Sequence, residues 1–206
     1  SPHNINGQWP PSSNLYTILV NDESGDTDSG QDIVSLSGSY RGTETDIEEL
    51  YVKLSLNSGC CDEGALFGPW YLYGVGIVNP ESETPVAYAI GYGNGGFGQL
   101  SPGLLKLSGD FENGEIEGFD YITTNINYST TGNDMSASVL LDYIINDSEF
   151  GEWPNSFQGL IVLGVTVSAD ISINTTIHDQ TNPGLFLLSS QYQESNIEPN
   201  LSNPAY

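Results

Sequence analysis

Positive charge is nearly absent from this chain. Lys and Arg together number 3 in 206 residues, against 27 Asp plus Glu, for a formal charge of −24. Such a surface repels phosphate backbones, so nucleic acid and anionic lipid are excluded as expected partners. Histidine is scarce too, at 2 residues, and no Ser–His–Asp set can be assembled from them. Cysteine occurs twice, at adjacent positions, so neither a CxxC redox motif nor a CxxCH haem attachment is present. The glycine cluster GYGNGGFG (91–98) lacks the Lys and following helix of a phosphate loop, and reads as a hinge or bulge. A copper clamp through His3 would need the backbone nitrogen of residue 2 as a ligand, and Pro2 has no N–H to lose. No apolar run approaches the roughly 20 residues of a membrane helix, so membrane insertion is not expected.

What is present is a β-rich, glycine-punctuated pattern. The chain holds 24 Gly and 12 Tyr, and only 15% of residues are charged, so its polar surface is mostly Asn, Ser, Thr and Gly. That composition is common in secreted β proteins. The sequence begins at Ser1 rather than Met, which sets the expectation of a mature product with its leader removed. Sequons at Asn127, Asn146, Asn174 and Asn200 add the expectation of an extracellular or cell-surface glycoprotein, with one or two of the sites used.

Residues 1–13 hold three prolines and no periodic pattern, and read as a tail. Residues 14–20, NLYTILV, form a compact β-prone run. Residues 21–31 carry no apolar side chain and read as an acidic linker. A sandwich domain follows over 32–192, and a proline-bearing tail over 193–206. EELYVKLSL alternates cleanly, with Leu50, Val52, Leu54 and Leu56 on one face. WYLYGVGIV places Tyr71, Tyr73, Val75 and Ile77 together, with Trp70 as a core residue. FDYITTNINYS reads as one strand, MSASVLLDYII as a buried strand, and LIVLGVTVSADISINTTI as a run too long for one ordinary strand, with a bend near Gly164. No segment has a helical period. The expected fold is all-β, an antiparallel β-sandwich or jelly roll of about nine or ten strands.

Three local features bear on function. The first is NSGCCDEG (57–64). Cys60 and Cys61 can bond to each other in a tight turn, bond between chains, or remain free thiols. A vicinal bridge is the expectation, although adjacent Cα atoms across a trans peptide lie only about 3.8 Å apart. The second is the acidic stretch Asp22, Asp26, Asp28 and Asp32. It offers hard oxygen ligands to Ca²⁺ without EF-hand spacing, and a solvated acidic linker is the competing reading. The third is Trp153, in the loop EFGEWPNSF, a stacking platform if the chain binds glycans. Asp110, Glu112, Glu115, Glu117 and Asp120 could in principle supply a glycosidase carboxylate pair, but an acidic hairpin is the stronger reading.

DIVSLSGSY, ELYVKLSL and SASVLLDYIIND resemble the strand grammar of DOMON-type and related carbohydrate-binding sandwich domains, over residues 32–177. The resemblance implies a secreted β-sandwich. Some DOMON members bind haem through Met and His, and Met135 with His178 is the pair available here. No site is carried over from the resemblance.

The functional expectation is a non-enzymatic structural subunit of an extracellular filament, sheath or surface layer, with copies of itself as partners. Leu15, Tyr16, Ile18, Leu19 and Val20 would form a donor strand. Twelve extended residues, from 21 to 32, reach about 40 Å, enough to seat that strand in a neighbouring subunit. Ca²⁺ bound in the linker would be the cofactor. The alternatives are a secreted carbohydrate-binding module and, with less support, a glycoside hydrolase.

Overall fold

The computed structural model describes residues 15–190 apart from 44, 63, 80–85, 94, 96–99, 111–114, 151–159, 173 and 188. The strands are β1 (Thr17–Asn21), β2 (Ile33–Thr43), β3 (Asp46–Leu56), β4 (Trp70–Val78), β5 (Ala87–Gly93), β6 (Gly103–Asp110), β7 (Glu115–Thr123), β8 (Asn127–Thr131) and β9 (Asp134–Leu140). After a one-turn helix α1 (Asp142–Ile145) come β10 (Ile161–Ala169), β11 (Thr175–Gln180), β12 (Gly184–Leu185) and β13 (Ser189–Ser190). No helix among the described residues is long and apolar enough to cross a membrane.

The strands form two sheets, as expected of a β-sandwich, with more strands than the sequence pattern suggested. The first sheet has the order β1-β2-β3-β9-β8, with β13 also paired to β2. The second has the order β11-β10-β4-β5-β6-β7, with β12 also paired to β10. The β13–β2 pair is parallel, and every other pairing between named strands is antiparallel.

Period-two alternation explains the core. Leu50, Val52, Leu54 and Leu56 of β3 are all buried, together with Leu36 of β2 and Met135, Ala137 and Val139 of β9. Tyr73, Val75 and Ile77 of β4 join them from the other sheet in one continuous cluster. Each large apolar side chain removed from water stabilises the sandwich by about 1.5–3 kcal/mol. Tyr71, expected on the same face, is only partly buried and packs at the cluster's edge. Trp70 is buried, but in a separate small cluster with Leu100 and Ala169.

Two long runs divide where continuous strands were expected, and a third divides elsewhere than expected. Residues 119–129 split between β7 and β8, which lie in different sheets. Residues 135–145 are β9 followed by α1. Residues 160–177 are β10 and β11, joined by a turn in which Asp170 Oδ1 accepts from the Ser172 and Asn174 amides. The chain does not bend at Gly164, which sits mid-strand opposite Val75. A Cβ there would lie 2.6 Å from Leu54 Cδ1 and 3.2 Å from Thr181 Cγ2, so the close approach of the sheets demands glycine.

Candidate cation site where the two sheets meet

The loop between β1 and β2 is folded, not extended. Its last residue, Asp32, is 0% exposed. Asp32 Oδ2 accepts from the Gly25 amide at 2.7 Å and from Asn57 Nδ2 at 2.8 Å. The Gln31 carbonyl accepts from Thr166 Oγ1 of β10 at 2.7 Å, which ties the loop to the opposite sheet.

Asp179 of β11 comes to the same place. Its Oδ2 accepts from the Ile33 amide at 2.6 Å and its Oδ1 from the Gln180 amide at 2.7 Å. A β-bulge aims it there. Val167 pairs with Ile177, but Thr166 pairs with Asp179, so His178 is the extra residue. The bulge reverses the parity of the strand, and Asp179 shares the inner face with Thr166.

One carboxylate oxygen from each of Asp26, Asp32 and Asp179 lies within 4.8 Å of the others. Asp22 belongs to the same electrostatic neighbourhood. Burial raises its carboxyl above the usual range, and the charges of Asp26, Asp32 and Glu23 add to this against a lowering hydrogen bond at Glu23. Burial likewise raises Asp179, with the Asp26 and Asp22 charges reinforcing it against the Ile33 and Gln180 amides. The buried oxygens Asp32 Oδ1 and Asp22 Oδ2 have no hydrogen-bond partner.

The chain's few basic side chains lie elsewhere. Arg41 pairs with Glu48 and Glu49, Lys106 with Asp147 and Glu149, and Lys53 lies 4.7 Å from the centre of the Tyr16 ring. Glu49, 5% exposed on the outer face of the first sheet, makes a useful contrast. Its Oε1 accepts from Ser138 Oγ and Asn127 Nδ2, and its Oε2 from Tyr51 Oη and Arg41 Nε. That buried carboxylate is fully served by protein donors, and Asp32 is not.

The cysteine turn adjoins this site through Asn57. Cys60 and Cys61 are bonded to each other across a cis peptide, where the sequence reading had assumed a trans one. Both pack against the core cluster. Around them, the Asn57 amide donates to the Asp32 carbonyl at 2.8 Å and the Ser58 amide to the Ser29 carbonyl at 3.1 Å. Tyr73 Oη accepts from the Asp62 amide at 2.9 Å and donates to the Gly30 carbonyl at 3.1 Å, and Gln31 Nε2 donates to Asp62.

Of the expected ligands, Asp26 and Asp32 converge, while Asp22 feels their charge but lies outside the three-carboxylate group. Asp28 is exposed, lies outside the three-carboxylate group, and uses its carbonyl to accept from the Gln31 amide. Asp179 takes its place. His178 Nε2 lies 2.7 Å from Ser168 Oγ, and Met135 is buried on β9 in the other sheet.

The expected donor strand also finds its place. Within the chain, Ile18 and Val20 pair with Ser37 and Leu36 of β2, so this strand completes its own sheet and is not held away on an extended linker. Val20 is buried, Leu19 packs on the core, and Leu15 and Tyr16 precede the strand.

Among the sequons, Asn146 and Asn174 are exposed. Asn127 Nδ2 is spent on Glu49 and Ser138, bonds that an attached glycan would have to break. Asn200 and Trp153 lie outside the described residues, as do the side chains of Asp110, Glu112 and Glu115; Glu117 and Asp120 are exposed on β7.

Comparison with protein-family models, with curated proteins and with solved structures finds no match, so the functional reading rests on this geometry.

Proposed function

We propose that this protein is a structural subunit of an extracellular filament, sheath or surface layer, in which copies meet along the β1 edge. The observation that carries the reading is the chemistry of that edge. β1, TILVN, ends the first sheet among the described residues, contains no charged side chain, and leaves Ile18 60% exposed. Sheet edges are normally guarded by charges or bulges, because unpaired N–H and C=O groups template another strand; β1 has one bulge between Ile18 and Val20 but no charge. The other edge strands fit that rule better. β7 carries Glu115, Glu117 and Asp120, β8 is the polar NYSTT, and β11 carries Asp179. Pairing through β1, directly or by exchange of the strand between copies, uses the same backbone groups.

An extracellular setting is supported by the bonded cysteine pair, which suits an oxidising compartment, and by the exposed sequon at Asn146. The role is architectural and the reading assigns no catalysis. The test is electron microscopy and light scattering of the native chain beside Ile18→Lys. Assemblies in the native chain and monomers in the variant support the reading. A native chain that stays monomeric at high concentration in calcium-containing buffer refutes it.

A carbohydrate-binding module is the second reading. It is favoured by a groove on the outer face of the second sheet, lined by Leu72, Leu107 and Phe119 with Gly74 and Gly91. The lining is mostly apolar, which suits the face of a sugar ring but offers its hydroxyls few partners. A glycan array with Trp153→Ala beside the native chain separates the two readings.

A further inference from the structure

We infer that Asp26, Asp32 and Asp179 form a binding site for one calcium ion that staples the β1–β2 loop to both sheets. An acidic cluster alone does not make a site. The second observation is Asp32, which is 0% exposed yet leaves Oδ1 without a partner. A buried carboxylate oxygen that no donor serves carries the full cost of desolvation. A cation held among several oxygens removes that cost. A cation needs several oxygens around one point, and these are present.

The dimensions agree. Calcium–oxygen bonds of about 2.3–2.6 Å let two ligands of one ion stand up to about 5 Å apart. The oxygens of Asp26, Asp32 and Asp179 lie within 4.8 Å of one another. The donor set is all oxygen, as a hard cation requires, with no sulfur or imidazole assigned to it. Water completes the coordination on the open side, where Asp26 is exposed.

The site's position gives the ion a structural task. Asp32 opens β2 in one sheet, and Asp179 lies on β11 in the other. The loop holding Asp26 directly follows β1. One ion therefore fixes the loop that leads from the edge strand into the sandwich. The site does not depend on the assembly reading, and it is tested on the monomer as well as on any polymer.

The experiment is calorimetric titration of CaCl2 into the full chain after removal of metal with chelator, for the native protein, Asp26→Asn, Asp32→Asn and Asp28→Asn. Asp26 and Asp28 are both exposed, so their variants are expected to fold, and circular dichroism verifies it. One equivalent of calcium should bind the native chain. Asp26→Asn should weaken binding at least about tenfold and Asp32→Asn should abolish it, while Asp28→Asn leaves it within about twofold. No uptake at millimolar calcium overturns the site. So does equal weakening by Asp26→Asn and Asp28→Asn, which marks diffuse attraction to an acidic surface.

Discussion

Asn57 Nδ2 donates to Asp32 Oδ2 at 2.8 Å, joining the turn that carries the cysteine pair to the loop that carries the acidic cluster. Two stretches 25 residues apart in the chain thus form one structure. Asn57 reaches the carboxylate cluster, while the pair of cysteines packs on the core.

Reduction of the Cys60–Cys61 bond should cost little global stability. The bridge joins neighbouring residues and closes no loop, so it barely restricts the unfolded chain. Cys60→Ser/Cys61→Ser is expected to lose about 1 kcal/mol or less in urea unfolding. Non-reducing gels of denatured protein should show monomer. A reductant-sensitive ladder would mean that the cysteines bond between chains.

Chelation should lower thermal stability. At free calcium of about a hundred times the dissociation constant, binding to the folded chain contributes about 2.7 kcal/mol. For a chain of this size that is a shift of about 5–10 °C in melting temperature. Differential scanning calorimetry with chelator, then with calcium restored, measures it. Asp32→Asn, which should bind no calcium, should melt at the same temperature with and without it, and Asp26→Asn should keep at most about half of the shift.

Gly164→Ala should destabilise the sandwich by about 1–3 kcal/mol, because the new methyl meets Leu54 Cδ1 and the Thr181 methyl. Combining it with Leu54→Ala opens the space it needs. The double variant should then be more stable than the sum of the two single losses allows, a coupling that denaturant titration of all four proteins reads directly.

Acid should remove the contribution of Asp147. Burial pulls its carboxyl up, but the Glu149 amide and the Lys106 ammonium pull it down further, and it titrates below the ordinary 3.8. A depressed carboxylate stabilises the fold above its unfolded pKa, and that stability is lost as pH falls through the folded one. Asp147→Asn should cost about 1 kcal/mol near pH 6, and its deficit should shrink towards about pH 2. A deficit that is constant across this range would show that the pair's charge contributes nothing.

Much of the sandwich was legible in the chain because alternation is a local signal. The face formed by Leu50, Val52, Leu54 and Leu56 needs no knowledge of its partners. Turns hidden inside apolar runs were harder to read. Residues 124–126 carry the chain from one sheet to the other between two runs of the same alternating grammar, so nothing local marks the crossing. Of the carboxylate cluster, Asp26 and Asp32 lay in a stretch whose acidity was plain, although a solvated linker reads the same way. Asp179 was not recognisable. Its inward aim depends on the one-residue bulge at His178, and parity across a bulge is set by the partner strand. Nor does the pattern of NLYTILV say which sheet it joins, because a sheet edge in the same chain and one in a neighbour offer the same hydrogen bonds.

The first and last strands among the described residues share one edge. Thr17 of β1 stands opposite Gly38 of β2, and Ser189 of β13 stands opposite the very next residue, Ser39. Along that edge, the beginning and the end of the sandwich are consecutive. A chain trimmed to these strands, rejoined from residue 190 to residue 17 by a short linker and reopened at the exposed turn Gly132–Asn133, would keep every pairing in both sheets. The order in which this fold is strung is therefore separable from the fold itself, and a circularly permuted gene should encode the same sandwich.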